Sequence, residues 1–140
     1  MKTKALNKAI LCMLSVPILL VDLHLSAQNY GGPRAYVKNR VHYFDTIGQR
    51  DTANCVFEIY NYGTEPLILQ SVSTSCGCTT TEYTKHPILM GECGRVNVEY
   101  HSSALGSFRK TIAVRTNENG NSVVVLQIDG FVKRGKRQSQ

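Results

Sequence analysis

Short stretches with a strand-forming pattern dominate the sequence, and turn residues separate them at intervals of about ten residues. Apolar and polar residues alternate within many of these stretches, and no helical period extends over a useful length. A sheet with one apolar face must cover that face with a second layer. The pattern therefore predicts an all-β fold, a single immunoglobulin-like antiparallel β-sandwich of about seven strands.

Seven segments carry the strand pattern, at residues 36–44, 54–60, 67–74, 79–83, 95–100, 108–116 and 122–132. Residues of one parity in a strand share one face of the sheet, so alternation identifies the side chains that should point inward. They are Cys55, Phe57, Ile59, Val96, Val98, Tyr100, Phe108, Ile112, Val114, Val124, Leu126, Ile128 and Val132. The segment 67–74 carries apolar residues of both parities, so the sequence leaves its inward face open.

The sharpest turn signal is the pair Asn119-Gly120, between the last two segments. Asn and Gly tolerate the positive φ angles of a type I′ turn, whose twist matches two strands joined as a hairpin. We therefore expect 108–116 and 122–132 to pair directly. Gly91 is expected to be a turn residue in the connection 85–92.

The first 27 residues resemble a secretory signal peptide. Three lysines precede an almost wholly apolar run from Ala9 to Val21, and Ala27 ends the segment as a small residue. The apolar run is shorter than the roughly 20 residues that cross a membrane comfortably. We expect an exported protein, periplasmic or extracellular, with no membrane span after cleavage; an uncleaved anchor is the alternative.

The net charge of +6 does not indicate a nucleic-acid-binding domain. The leader contributes three lysines, and four basic residues lie in the last eight positions, whereas residues 28–132 carry nine basic and nine acidic side chains. A nucleic-acid-binding domain needs a basic face with interleaved aromatic residues, which this sequence lacks. The predicted organisation is a signal peptide (1–27), a linker (28–35), the sandwich (36–132) and a basic disordered tail (133–140).

Four cysteines remain after the leader is removed, and two of them flank one glycine in Cys76-Gly77-Cys78. One interpretation is structural: a disulfide to Cys55 or Cys93 would lock strand ends, and closing a loop such as 55–76 is worth roughly 3 kcal/mol. Another gives the motif only a turn role, with Gly77 allowing a bend where the chain changes strands or sheets.

Two chemical interpretations of the same motif stay open. A Cys-X-Cys disulfide is a small, strained ring, and strain makes a disulfide more oxidising, although no Lys, Arg or His adjoins the pair to lower a thiol pKa. Two thiolates one residue apart would also suit a soft ion such as Cu(I) or Zn(II), which makes Cys76 and Cys78 weak candidate metal ligands. Lys85 and His86 are the basic residues that would have to fold back toward the sulfurs.

Several phrases of the sequence, in order, resemble one known family. They are Phe44 to Gly48, Val56 to Leu67, Ser75 to Thr79, Pro87-Ile88, Gly91 to Gly94, Val96 to Tyr100, Gly106 to Phe108, Thr116-Asn117 and Ile128 to Val132. This pattern is similar to the exported bacterial family known as domain of unknown function 1573, which resembles major sperm protein-type modules. The resemblance implies an immunoglobulin-like sandwich outside the cytoplasm and no assigned reaction.

The sequence shows no paired carboxylates, phosphate-binding loop or nucleophile elbow, and we expect no enzyme and no cofactor. The predicted function is an exported, non-catalytic binding or scaffolding module of unknown specificity. Its unknown protein partner would add a strand to an exposed sheet edge. The alternative is a thiol-dependent redox or soft-metal-binding protein that uses the Cys-Gly-Cys motif.

Overall fold

A computed structural model describes residues 31–135, so the predicted signal peptide, the start of the linker and the end of the tail lie outside the described residues. The described chain contains eight strands. They are β1 (Ala35–Tyr36), β2 (Val41–Gly48), β3 (Thr52–Asn61), β4 (Leu69–Thr74), β5 (Thr79–Tyr83), β6 (Cys93–His101), β7 (Gly106–Thr116) and β8 (Ser122–Lys133).

The strands form two four-stranded sheets, with the order β1-β3-β6-β5 in the first sheet and β2-β8-β7-β4 in the second. Their inner faces enclose one hydrophobic core. The predicted immunoglobulin-like β-sandwich is therefore confirmed. The last strand reaches Lys133, the first residue of the predicted tail.

The predicted first strand at 36–44 is wrong as a single element. Residues 35–36 pair with β3 in the first sheet, whereas 41–48 pair with β8 in the second. Val37 is buried between them, and the polar residues Lys38, Asn39 and Arg40 are exposed. The chain therefore crosses from one sheet to the other within this segment, which raises the strand count from seven to eight.

That crossing also produces one exception to the predicted antiparallel arrangement. Strand β2 lies parallel to β8, with Val41 opposite Gln127 and Ile47 opposite Val132. The other strand pairs within residues 31–135 are antiparallel. Strand β2 reaches the edge of the second sheet by the crossing and not through a hairpin with β8. A hairpin would have made the two strands antiparallel; without one they can run parallel.

The parity predictions for the core are confirmed at most positions. Cys55, Phe57 and Ile59 of β3 are 7%, 4% and 0% exposed, and the predicted residues of β6 and β8 are buried as well. Phe108 is only partly buried and packs against the edge of the core. The fully buried Ile88 was not predicted, because it lies in a connection, where a single bridge joins it to Leu67.

A register shift explains why the segment 67–74 has no single apolar parity. Strand β4 pairs with β7, and the register shifts between Leu69 and Ser71. The shift changes the inward parity, so Leu69 is buried before it and Val72 packs against the core after it. Ile68, of the opposite parity to Leu69, is 38% exposed.

The predicted hairpin of the last two strands is confirmed, with Thr116 opposite Ser122. Asn119 and Gly120 both have positive φ, 48° and 83°, as the Asn-Gly pair predicts. They lie inside a short 3-10 turn, Glu118–Gly120, so the connection is longer than a two-residue loop. Gly91 also has positive φ, 80°, as expected of a turn residue.

Residues 32–35 of the predicted linker are attached to the first sheet. The carbonyl oxygens of Gly32 and Arg34 accept hydrogen bonds from the backbone N–H groups of Thr64 and Tyr62, at 3.1 and 2.9 Å. Glu118 of the hairpin turn accepts a hydrogen bond from the Ala35 N–H at 3.1 Å. The segment 32–36 is therefore part of the sandwich.

Candidate functional site

The Cys76-Gly77-Cys78 motif lies where the chain passes from the second sheet to the first. It joins the end of β4 to the start of β5, and these two strands are edges of different sheets. Gly77 is exposed, its φ is not in the left-handed region, and a Cβ there would meet no atom within 4 Å. The chain changes sheets at this motif, but the backbone does not require glycine at position 77.

Hydrogen bonds hold both flanks of the motif independently of the sulfurs. The Ser75 N–H donates to the Thr111 carbonyl at 3.0 Å, and the Thr111 N–H donates to Ser75 Oγ at 3.1 Å. On the other flank, the His101 N–H donates to the Cys78 carbonyl at 2.9 Å. The Thr74 hydroxyl donates to the Cys76 carbonyl at 2.9 Å.

Cys76 and Cys78 form a disulfide with each other, and their Cα atoms are 5.4 Å apart. The predicted disulfides to Cys55 or Cys93 are not formed within residues 31–135, where both of these cysteines are free. A disulfide stabilises largely by restricting the unfolded chain, and closing a ring of three residues is worth only about 1.5 kcal/mol in that treatment. This is half of the roughly 3 kcal/mol expected for a loop such as 55–76, so the bond is a weak structural cross-link.

The other two cysteines are free and lie on opposite faces of the first sheet. Cys55 points into the core, and burial raises the pKa of its thiol to about 11. Cys93 is half-buried and lies opposite Tyr60, in the row of residues on the outer face. It begins β6, whereas Cys78 lies beside His101 at the other end of that strand. Neither free cysteine is placed to exchange with the disulfide within one molecule.

The surroundings of the sulfurs contain one side chain that sequence reasoning missed. Thr79 is 5% exposed, and its Oγ1 lies 3.6 Å from Cys76 Sγ, within hydrogen-bonding range for sulfur. The sequence marks Thr79 only as a strand residue, so its contact with the sulfur was not predictable from spacing.

The basic residues considered as thiol activators have other partners. Lys85 Nζ lies 3.3 Å from the centre of the Tyr83 ring, and His86 Nδ1 is 3.2 Å from the Pro87 carbonyl oxygen. The His101 ring contacts Glu99 and Thr52. Among residues 31–135, no three His, Cys, Asp or Glu side chains come together as metal ligands.

A second candidate site is the edge of the first sheet beside β1. Strand β1 covers β3 only at Tyr60 and Asn61. The N–H groups of Tyr62 and Thr64 point toward the N-terminal segment, so by alternation the backbone groups of Asn54, Val56 and Glu58 point to the same side. No other strand of the described chain pairs with β3 there.

The remaining sheet edges are protected. Strands β4 and β5 are tied to each other at both ends. At the disulfide corner the Thr74 hydroxyl approaches the Thr79 carbonyl at 3.3 Å, and at the far end of the two strands the Tyr83 hydroxyl donates to the Gln70 carbonyl at 3.3 Å. Strand β2 has a register shift between Phe44 and Thr46, and such irregularities discourage pairing with another chain. Within residues 31–135, the edge of β3 is therefore the one that remains most open.

The open edge borders a groove of about 210 Å³. Its walls are the crossing residues Lys38 and Asn39 on one side and β3 residues on the other, from Val56 to Tyr60. Val56 is 55% exposed and places an apolar side chain beside this groove. We call the segment Asn54 to Glu58 with this groove the β3 edge.

Comparisons with known proteins agree with the fold. A family model described as "Protein of unknown function (DUF1573)" matches residues 36–132. A comparison with curated proteins finds no match. No helix within residues 31–135 has the length and apolar character needed to cross a membrane.

Solved structures of several different kinds of protein have the same fold. The ASH/PapD-like domain 7 of human CEP192 has a TM-score of 0.62 and 11% identity, covering 73% of this chain and 87% of that one. A Porphyromonas gingivalis W83 protein of unknown function has a TM-score of 0.58 and 17% identity, covering 73% and 48%. The Vibrio cholerae VesB protease has a TM-score of 0.56 and 14% identity, covering 74% and 32%. At these identities the similarity shows the fold alone.

Proposed function

The chain belongs to the DUF1573 family of proteins of unknown function, and from this premise we propose that it is an exported, non-catalytic binding or scaffolding module. The compartment in this proposal rests on the signal-peptide pattern at residues 1–27, and it is periplasmic or extracellular. A mature N-terminus at Gln28, measured by sequencing the protein recovered outside the cytoplasm, is the expected result for this part of the proposal.

The open β3 edge is the observation that carries the binding function. An extended segment of a partner protein would continue the first sheet by pairing with the backbone of Asn54, Val56 and Glu58. Strand β1 already pairs antiparallel along the same edge, so the added strand would follow the direction that β1 sets. Exposed Val56 would supply an apolar contact to the added strand.

The test uses a photo-crosslinking amino acid placed at Asn54 in the full chain, expressed in the native host. The matched control position is Arg115, which is also exposed but lies on the central strand β7. We expect one reproducible partner to be captured from Asn54 and not from Arg115. Failure to recover any such partner from Asn54 would contradict the proposal.

A second pair of variants asks whether capture depends on backbone pairing. Val56→Pro removes the N–H at the open edge and leaves the pairing of β3 with β6 intact, since proline is tolerated where the N–H faces away from the sheet. Val56→Thr changes the side chain and keeps the N–H. Capture should be lost with Val56→Pro and kept with Val56→Thr; equal capture by both would exclude strand addition at this edge.

A further inference from the structure

We propose that the Cys76–Cys78 disulfide is a thiol–disulfide exchange site that accepts electrons from protein dithiols, with Thr79 as the residue that stabilises the departing Cys76 thiolate. This activity is separate from partner binding at the β3 edge. It depends on three features of the corner between β4 and β5: its accessibility, its independence of the disulfide, and the contact of Thr79 with one sulfur.

The disulfide is accessible at a corner of the sandwich. Cys76 and Cys78 are both half-buried, with Cys78 packed against the rim of the core; apart from these two neighbours, no atom lies within 4 Å of a Cβ built on the exposed Gly77. A substrate thiolate can therefore approach over the exposed glycine. A disulfide that a thiolate can reach is more labile than one sealed in a protein interior.

The corner keeps its shape without the bond. The hydrogen bonds of Ser75 with Thr111 and of His101 with the Cys78 carbonyl do not involve the sulfurs, so we expect them to position the flanks in either redox state. The reduced thiols would therefore remain close together, ready to be reoxidised.

Thr79 makes the two sulfurs unequal. Its hydroxyl contacts Cys76 Sγ at 3.6 Å, and within the described residues Cys78 Sγ has no side-chain hydrogen bond. A hydroxyl that donates to a thiolate stabilises the charged form and lowers its pKa. Cys76 is therefore the better leaving group, because a thiol of lower pKa departs faster.

The exchange proceeds in two balanced steps. A substrate thiolate attacks Cys78 Sγ, forms a mixed disulfide and breaks the Cys76–Cys78 bond, and the electron pair leaves on Cys76. A second substrate thiolate then attacks the substrate sulfur of the mixed disulfide and expels Cys78. The substrate dithiol loses two electrons and becomes a disulfide, and the two protons of its thiols end on Cys76 and Cys78.

The experiment measures reduction of the disulfide in the full mature chain by glutathione and by a dithiol peptide. A Cys93→Ser background removes the half-buried free thiol from the count, and Cys55 is shielded by the core. We expect native protein to be reduced, with one peptide disulfide formed for each Cys76–Cys78 pair opened. Trapped mixed disulfide should be found on Cys78.

Substitutions on β5 test the role of Thr79. Thr79→Val removes the hydroxyl at nearly constant volume and should slow reduction of the disulfide roughly tenfold. Thr81→Val, on the same strand and without a side-chain hydrogen bond among the described residues, should change the rate less than twofold. Thr79→Ser should restore the wild-type rate.

Two outcomes would overturn the inference. A disulfide that resists glutathione in the native protein and opens only in denaturant is a structural bond, and exchange is then excluded. Equal rates for Thr79→Val and Thr81→Val would remove Thr79 from the mechanism. Neither result bears on capture of a partner at Asn54, so the two proposals fail independently.

Discussion

Asn61 has no exposed surface, and its side chain uses all its hydrogen-bonding capacity. Its Oδ1 accepts from the N–H groups of Arg34 and Gly63, and its Nδ2 donates to the carbonyls of Glu65 and Ile88. One amide thus joins the N-terminal segment, the turn after β3 and the connection before β6. A buried polar network of this kind is favourable only while every member is satisfied.

We therefore expect Asn61→Ala to lower the free energy of unfolding by about 3 kcal/mol or more, because it leaves the buried Gly63 N–H and Ile88 carbonyl without this partner. Asn97→Ala, an exposed asparagine on β6, should change it by less than about 0.5 kcal/mol. Urea unfolding followed by circular dichroism measures both. Similar losses for the two variants would contradict the role assigned to Asn61.

The thiol of Cys55 makes the free energy of unfolding depend on pH in the alkaline range. Burial raises the pKa of its thiol from 9.0 to about 11, so the folded protein keeps a proton that the unfolded chain has already released. The stability contributed by this group is fully present below about pH 9 and is lost as the pH rises toward 11. A shift of this size corresponds to roughly 2–3 kcal/mol.

The measurement compares urea unfolding at about pH 8 and about pH 10.5, for the parent and for Cys55→Val, both with Cys93→Ser. The parent should lose roughly 2 kcal/mol more than Cys55→Val between the two conditions. The same pH dependence in both proteins would show that Cys55 ionises without cost in the folded state.

At the scale of elements, the attachment of the N-terminal segment depends on Gly63. A Cβ at this position would collide with the Gly32 carbonyl oxygen and come within 2.6 Å of the Arg34 nitrogen, both backbone atoms that cannot move aside alone. Position 63 is therefore a place of close approach between two backbones, which only glycine permits.

We expect Gly63→Ala to release residues 32–36 while the rest of the sandwich stays folded. Amide hydrogen exchange would then quicken at Tyr62 and Thr64, whose N–H groups donate to that segment. Gly77→Ala, where a Cβ meets nothing within 4 Å, is the matched control and should leave exchange at these amides unchanged. Unaltered protection in Gly63→Ala would mean that the segment can shift without detaching.

The sequence predicted most elements and most of the core, since buried and exposed positions alternate along β3 and β6 and along most of β8, and Asn119-Gly120 marks the hairpin. The prediction failed where the local residue pattern does not reveal which sheet a segment joins. The run from Tyr36 to Phe44 has the pattern of one continuous strand, but in the folded sandwich it is divided between two sheets. For the candidate site, the sequence identified Cys76 and Cys78, but their pairing and the Thr79 contact depend on where β5 begins relative to the corner.

At the scale of the whole molecule, the disulfide contributes little to holding the fold. We expect the double variant Cys76→Ser/Cys78→Ser to fold as the wild type does and to lose no more than about 2 kcal/mol, since the ring that it opens contains only three residues. Thermal unfolding of the two proteins measures the difference. If the double variant cannot fold, the structural interpretation of the motif is established, and the small contribution to the free energy of unfolding that we expect of the disulfide is contradicted.

The parallel pairing of β2 with β8 determines when the second sheet can be completed during folding. A chain that emerges N-terminus first, from a ribosome or a translocation pore, presents β2 early, but its partner β8 is nearly the last segment to appear. The β7–β8 hairpin can form as soon as both strands are out, whereas β2 must wait through the synthesis or passage of strands β3 to β8. During that interval we expect the unpaired strand to be a target for holding chaperones and for misassociation, as unpaired strand edges generally are.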